Sequence, residues 1–429
     1  MNSLCACCGF NRRDFLKLAS LFSGSAALSA IAGGCGTQST TTENTASESA
    51  PTTSTAATGN LDQPVKIGYL PILDASPLLI AHANQLYEAE GLTTEQPILF
   101  RSWADIVEAF LARQINVVHL LSPITLWLRY GAQKVPGKIV AWNHTDGSAL
   151  TVQPDINDVK DLGGKVIAVP FWYSIHNVVL QQLLGQAGLT VVTKSGTEAI
   201  HPNEVNLVVL PPPEMVSALT NKSIAGYIVA EPFNAAGEAS GNGKVLRFTG
   251  DVWKNHACCV VFLHEDDLNQ RPEWTQGVVN AVVKSQLWIR GHRSETAKLL
   301  SKEGGTYTPH PEAVLQKVLT GFDADTYAKQ GAIKHAAWNS QRIDFQPYPF
   351  PSYTEELVRL LQKTQVEGDN AFLQGLQPAE VARDLVDDSF VKQALEQVGG
   401  PQVFGLPDSL RREESFQVAR LMPSSLAYS

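Results

Sequence analysis

Cysteine, charge and long apolar runs are all scarce in this 429-residue chain, and each shortage closes a class of explanation. Of the six cysteines, Cys5, Cys7, Cys8 and Cys35 precede the body of the chain, leaving only the adjacent pair Cys258 and Cys259 within it. Adjacent cysteines bridge only under strain, so a disulfide scaffold is excluded. The pair reads as two small buried strand residues, with thiol chemistry or metal binding as the alternatives. Charged residues make up 17% of the chain, and 33 Lys+Arg against 42 Asp+Glu give a net charge of −9. That balance argues against a nucleic-acid partner, which would call for a basic patch. The only apolar stretch approaching membrane length, Leu18 to Ile31, is interrupted by Ser and Gly, so a polytopic membrane protein is excluded. Gly-x-Ser-x-Gly, phosphate-loop and His-Glu-x-x-His signatures are missing too. What remains, with 44% hydrophobic residues, is enough for a sizeable core spread over two or three domains or one two-lobed body.

The first residues read as an address. Asn11-Arg12-Arg13-Asp14-Phe15-Leu16-Lys17 is a paired-arginine start ahead of an Ala/Ser/Gly-rich apolar stretch, which predicts a Tat-type signal peptide over 1–34 and hence export. Ala32-Gly33-Gly34-Cys35 resembles the lipobox of bacterial lipoproteins, with Cys35 the lipid-attachment residue; Ala32 stands where leucine is preferred. Residues 35–62 are almost entirely Ser, Thr, Ala, Gly and Asn, with too little apolar surface to offset ordering. They predict a flexible tether of about 25–30 Å r.m.s. reach, holding a soluble body against a membrane.

From Gln63 onward short apolar runs alternate with helical patterns, an α/β signature. Val65 to Leu70 predicts the first strand, and Ser76-Pro77 predicts an N-cap and first position of a helix ending at Gly91. Ser102 with Asp105 forms a capping-box-like pair opening a second helix. Strands are expected at Asn116–Leu121, Lys138–Trp142, Lys165–Val169, Val205–Leu210 and Ala225–Ala230. The run Lys165–Pro170 leads through Phe171-Trp172-Tyr173 into a helix, placing free backbone N–H groups at Ser174, His176 and Asn177. Such a corner is receptive to an anion, or is simply a capped helix. Glu231, at the carboxyl end of a strand, is either ligand-facing or a helix-capping charge. Beyond Tyr353 two further helices are expected, and an irregular tail over 401–429.

Four groups of residues, in order, carry a resemblance: Gly68-Tyr69-Leu70-Pro71-Ile72 with Ser76-Pro77-Leu78; Ala168-Val169-Pro170 with Ser174-Ile175-His176-Asn177; Pro211-Pro212-Pro213-Glu214-Met215-Val216; and Ala230-Glu231-Pro232-Phe233-Asn234. Asp251-Val252-Trp253-Lys254-Asn255-His256 and Asp344-Phe345-Gln346-Pro347-Tyr348-Pro349 extend it to about Tyr353. The chain resembles the solute-binding lipoproteins of cyanobacterial nitrate and bicarbonate ABC importers, a group that also includes sulfonate, taurine and thiamine-pyrimidine-like binders.

The resemblance implies an α/β, type II periplasmic-binding-protein fold, with two lobes, two crossings and the ligand in the cleft. One lobe would comprise 63–164 plus 261–400 and the other 165–260. It implies a monomeric periplasmic protein, lipid-anchored to the membrane, that delivers a small anion to an ABC permease and ATPase, with neither catalysis nor a cofactor. Trp103 and His176 match cleft positions, Ser148 stands where the group has glutamine, and the cleft lysine falls on Cys258 or Cys259. Ser174 and Glu231 complete the expected ligand-binding set. A buried anion without that lysine would depend on hydrogen bonds. For the calcium that bicarbonate-type members bind, only Glu231 and Asp146 offer oxygens, short of the usual six to eight ligands, so a metal role is left unknown. Phe171, Trp172 and Tyr173 would suit a flatter organic ligand, and a ligand-sensing domain is a further alternative. The fold group also includes a pyrimidine-precursor synthase with an iron-binding cysteine cluster, for which Cys258-Cys259 is too short.

Overall fold

A computed structural model describes residues 63–196, 198–335, 338 and 341–416. The expected signal peptide (1–34), Cys35, the tether up to residue 62 and the end of the tail from 417 lie outside the described residues. No helix among the described residues is long and apolar enough to cross a membrane.

Two sheets carry the architecture. The first has the order β2-β1-β3-β12-β4, built from β1 (Ile67–Tyr69), β2 (Ile98–Leu99), β3 (Val117–Leu121), β4 (Gly137–Trp142) and β12 (Cys259–His264). β1, β2 and β3 are parallel, while β12 runs antiparallel between β3 and β4. The second has the order β11-β6-β10-β7-β9-β8, with β6 (Ser148–Val152), β7 (Lys165–Val169), β8 (Thr190–Val192), β9 (Glu204–Val209), β10 (Gly226–Ala230) and β11 (Lys244–Phe248). Central strands such as β3 and β10 are buried at every residue, as strands covered by helices on both faces must be.

The chain passes from β4 to the second sheet through 143–147, where the short β5 (Thr145–Asp146) pairs antiparallel with β13 (Ile343–Asp344). It returns from β11 to β12 through 249–258. Gly147, at φ +77°, makes the turn that lets β6 start at once, and Ile343 lies where a Cβ would go.

The expected strands and caps are present, with three differences. The helix from Ser76 stops at Ala83, because Gln85 takes a left-handed φ of 56° and a second short helix, Leu86–Ala89, follows. Ser76 is not its N-cap but the first helical residue, its hydroxyl donating to the Leu73 carbonyl. The lobe boundaries also shift. Ser148–Val152, expected with the first lobe, pairs with β10 and β11 in the second sheet, and Cys259 already belongs to the first. Within 261–400, Tyr327, Ala332, Ile333 and Trp338 pack around Phe248 of the second sheet, because this aromatic-rich stretch covers apolar surface that β11 leaves open.

The C-terminal helices return to the first sheet, where the Asp387 amide donates to the Ile139 carbonyl of β4. The tail through Phe416 is docked. Glu414 accepts from the Trp253 indole at 2.8 Å, and the Arg412 guanidinium lies over Trp142 and Phe350.

Candidate functional site

The two crossings and the starts of three secondary-structure elements bring polar side chains together deep in the molecule. Asp74 lies in a single helical turn after β1, His144 in the first crossing and Ser148 at the start of β6. His176 occupies the first turn of the helix Ile175–Gln186, and Cys258 and Cys259 end the second crossing and begin β12. None of these is more than 1% exposed. Ser174 caps the His176 helix by accepting from the Asn177 amide at 3.0 Å, which fixes the imidazole against Ser148, with Ser148 Oγ and His176 Nε2 2.9 Å apart. Cys258 Sγ lies 3.8 Å from both.

Behind this triad is a second knot. Asp74 Oδ2 sits 2.9 Å from His144 Nε2 and accepts from Cys259 Sγ at 3.2 Å, while Asn143 Nδ2 donates to the Asp74 carbonyl. Burial pushes the Asp74 carboxyl up to about 6. Burial alone would depress His144, but the Asp74 carboxylate outweighs it and raises the imidazole to about 10. His119, buried and next to that imidazolium, is pushed down to about 3 and so is neutral. Burial also opposes a Cys258 thiolate, yet hydrogen bonding from Cys259 and the His176 and His144 imidazoles hold that thiol well below its usual range. Burial, followed by the hydrogen bond with Cys258 and then the Cys258 charge, pushes Cys259 up.

Polar atoms without a partner concentrate here: Asp74 Oδ1, Trp103 Nε1, His119 Nδ1, Asn143 Oδ1, His144 Nδ1 and His176 Nδ1 are all buried and unpaired. A folded chain satisfies nearly all such groups, so a cluster of unsatisfied donors and acceptors marks a place made for something else to bind.

Of the residues singled out in the sequence, Ser148 and His176 are in direct contact and Ser174 positions His176. Trp103 stands at the start of the helix Trp103–Leu111, its ring edge-on to His119 at 5.6 Å between centroids. Glu231 is engaged elsewhere. Its carboxylate meets Arg342 Nε at 2.6 Å, with both side chains wholly buried, and accepts from the Ala235 amide at a helix start. The Phe171–Tyr173 trio bridges elements: Tyr173 is core, stacked on Trp127 at 5.8 Å, and Phe171 meets the same indole edge-on. Asp74, His144 and His119 were not singled out. The only signal was a charged or imidazole residue inside an otherwise apolar segment, as in Leu73-Asp74-Ala75 and Val118-His119-Leu120.

Comparison with known proteins fits this architecture. The nitrate/nitrite binding protein NrtA of Synechococcus elongatus is 29% identical over 308 residues, covering 65% of this chain and 66% of that protein, so the chain spans just under two thirds of that relative. The bicarbonate-binding protein CmpA of the same organism is 24% identical over 60% of each chain. The crystal structure of the periplasmic nitrate-binding protein NrtA from Synechocystis superposes with a TM-score of 0.68 at 18% identity, over 82% of this chain and 93% of that one. The fold is therefore the α/β, type II periplasmic-binding-protein fold that the sequence motifs implied. The model of the NMT1-like family matches residues 59–302, more than half of the sequence, and the chain belongs to that family.

Proposed function

We propose that this chain is the extracytoplasmic substrate-binding protein of an ABC importer for a small anion of the nitrate, bicarbonate or sulfonate type. The carrying observation is the set of buried, unpaired nitrogens able to donate to an anion, Trp103 Nε1, His119 Nδ1 and His176 Nδ1, together with the Ser148–His176 pair. The relatives that bind nitrate, nitrite and bicarbonate support the same class of ligand. Trp103, Ser148, Ser174 and His176 donate to or wall the ligand, and Glu231 sets the charge behind it. The two sheets with their helices act as two lobes that close over the ligand, and the closed form docks on a membrane permease with its ATPase. The protein acts by binding and release rather than by chemistry, as a monomer. A Tat-type signal exports it and a lipid on Cys35 tethers it to the periplasmic side of the membrane.

A thermal-shift screen against nitrate, nitrite, bicarbonate with and without calcium, taurine, alkanesulfonates and thiamine-type pyrimidines tests this reading. A ligand at 100 times its Kd stabilises by about 2.7 kcal/mol. A rise with a small anion is the expected result. A rise only with a flat organic compound would move the ligand to the aromatic alternative and refute the anion reading.

A further inference from the structure

We propose that Asp74, His144, Cys258 and Cys259 form a binding site for a thiophilic metal ion of the zinc type. One ligand atom from each of these four residues lies within 4.8 Å of every other. They come from three separate segments, namely the turn after β1, the first crossing and the junction of the second crossing with β12. No single local motif therefore explains their meeting. Both thiols are free, and all four side chains are wholly buried.

The donor set is two sulfurs, an imidazole nitrogen and a carboxylate oxygen, the composition of a four-coordinate zinc-type site. Tetrahedral coordination at ~2.0–2.3 Å from the metal places donors roughly 3.3–3.8 Å apart. The shortest separations here, Asp74 Oδ2 to His144 Nε2 at 2.9 Å and to Cys259 Sγ at 3.2 Å, need only small side-chain rotations to open around an ion. A second, independent observation points the same way. Asp74 Oδ1 is buried without a partner, although a carboxylate so deep in a protein would ordinarily use both of its oxygens. A divalent cation also offsets the negative charge of a buried carboxylate and of the thiolates that form as it binds, charges that would otherwise face one another out of water. As the ion enters, the thiols give up their protons to solvent and their sulfurs become ligands.

The pair stands where the resemblance to anion binders leads one to expect a lysine, so the site is a feature of this chain's own residues. It stands apart from the anion reading: metal binding is measured without any anion ligand, and anion binding without added metal, so that either can fail alone.

The test uses the full-length protein, reduced and stripped with a chelator, and titrated with Co2+. One equivalent should give the near-ultraviolet absorbance of cobalt–thiolate charge transfer with the visible bands of a tetrahedral site, and Zn2+ should abolish both by displacement. Mg2+ and Ca2+ should compete for neither. Zinc-edge X-ray absorption on the zinc-loaded wild type should show two sulfur neighbours at about 2.3 Å. This measurement needs no variant and so does not depend on a variant folding. In a folded Cys258→Ser/Cys259→Ser protein the charge-transfer band should disappear, and Asp74→Asn should weaken Zn2+ binding at least tenfold while keeping the sulfur signature. No thiolate band in the wild type, a zinc shell without sulfur, or displacement of Co2+ by Ca2+ as effectively as by Zn2+ would overturn the proposal.

Discussion

Replacing Arg342 by methionine removes the cation from a wholly buried ion pair while keeping much of the side-chain volume. In the folded protein the Arg342 guanidinium gives Nε to Glu231 at 2.6 Å and Nη1 to Glu238 at 3.1 Å and to the Tyr327 hydroxyl at 2.7 Å. It also lies over the Phe248 and Tyr327 rings. Without it, Glu238 keeps Lys317 at 3.3 Å, but Glu231 keeps only the Ala235 amide at 3.2 Å. Breaking a buried pair so that one charge is stranded costs about 3–5 kcal/mol, which at an m-value of ~3 kcal/mol/M lowers the urea midpoint by roughly 1 M or more. Burial already raises the Glu231 carboxyl, with Arg342 opposing it, so removing Arg342 raises it further. The stranded carboxyl therefore binds a proton in the folded state that the unfolded chain gives up. The penalty must grow as pH rises, by at most ~1.4 kcal/mol per pH unit. Glu231→Gln alone should cost less, because Arg342 retains Glu238 and Tyr327, and the double variant should recover much of the Arg342→Met loss. Urea unfolding of the three variants at pH 5.5 and 8 measures all of this. A loss below about 1 kcal/mol for Arg342→Met, or a double variant no better than the single, would refute the claim that the stranded Glu231 carboxyl is what the loss of Arg342 costs. The same proteins report on the anion site: a Glu231 that tunes the cleft changes ligand affinity in Glu231→Gln, whereas one that only anchors Arg342 changes stability and leaves affinity unchanged.

The remaining predictions concern the crossings, the cleft and one titrating side chain. His176→Ala, which removes the partner of Ser148, should lower anion affinity at least tenfold, about 1.4 kcal/mol, by isothermal titration; unchanged binding in a folded variant would take His176 out of the site. Gly147→Ala forces a side chain into φ +77° against Ile343 2.9 Å away, so it should destabilise by about 1–3 kcal/mol in urea unfolding. His264 is stacked on Phe110 at 3.9 Å with Nε2 at 3.1 Å from the Phe110 carbonyl, and burial, reinforced by Arg113, lowers its pKa. Being neutral in the fold, it contributes stability above its ordinary pKa near ~6.5 that is lost as pH falls through the depressed folded value. The stability gap between wild type and His264→Phe should thus narrow between pH 7 and 5, and a constant gap would contradict this assignment.

How far the sequence reaches can be judged from particular residues. Strands such as Lys165–Val169 and caps such as Ser102 and Ser174 are local. Apolar runs and a hydroxyl three residues ahead of a free amide are enough to place them, and they fall where expected. The cleft was legible through those local units and through the resemblance: His176 could be named because it follows the cap at Ser174, and Ser148 because it stands where the resembled group has glutamine. Asp74 and His144 carry no comparable sign. They are 70 residues apart, and their 2.9 Å contact exists only because β1 and the first crossing meet beside β12. For the same reason Glu231 read as either a ligand group or a capping charge, since its partner Arg342 lies 111 residues away in the irregular chain just before β13. The lobe boundary failed in the same way, because β6 looks like a continuation of the first lobe until its pairing with β10 and β11 is known. Long-range pairing is what converts a lone aspartate, a lone histidine and two adjacent cysteines, each unremarkable in its own segment, into a single donor set. The chemistry most particular to this chain therefore lies where the sequence alone says least.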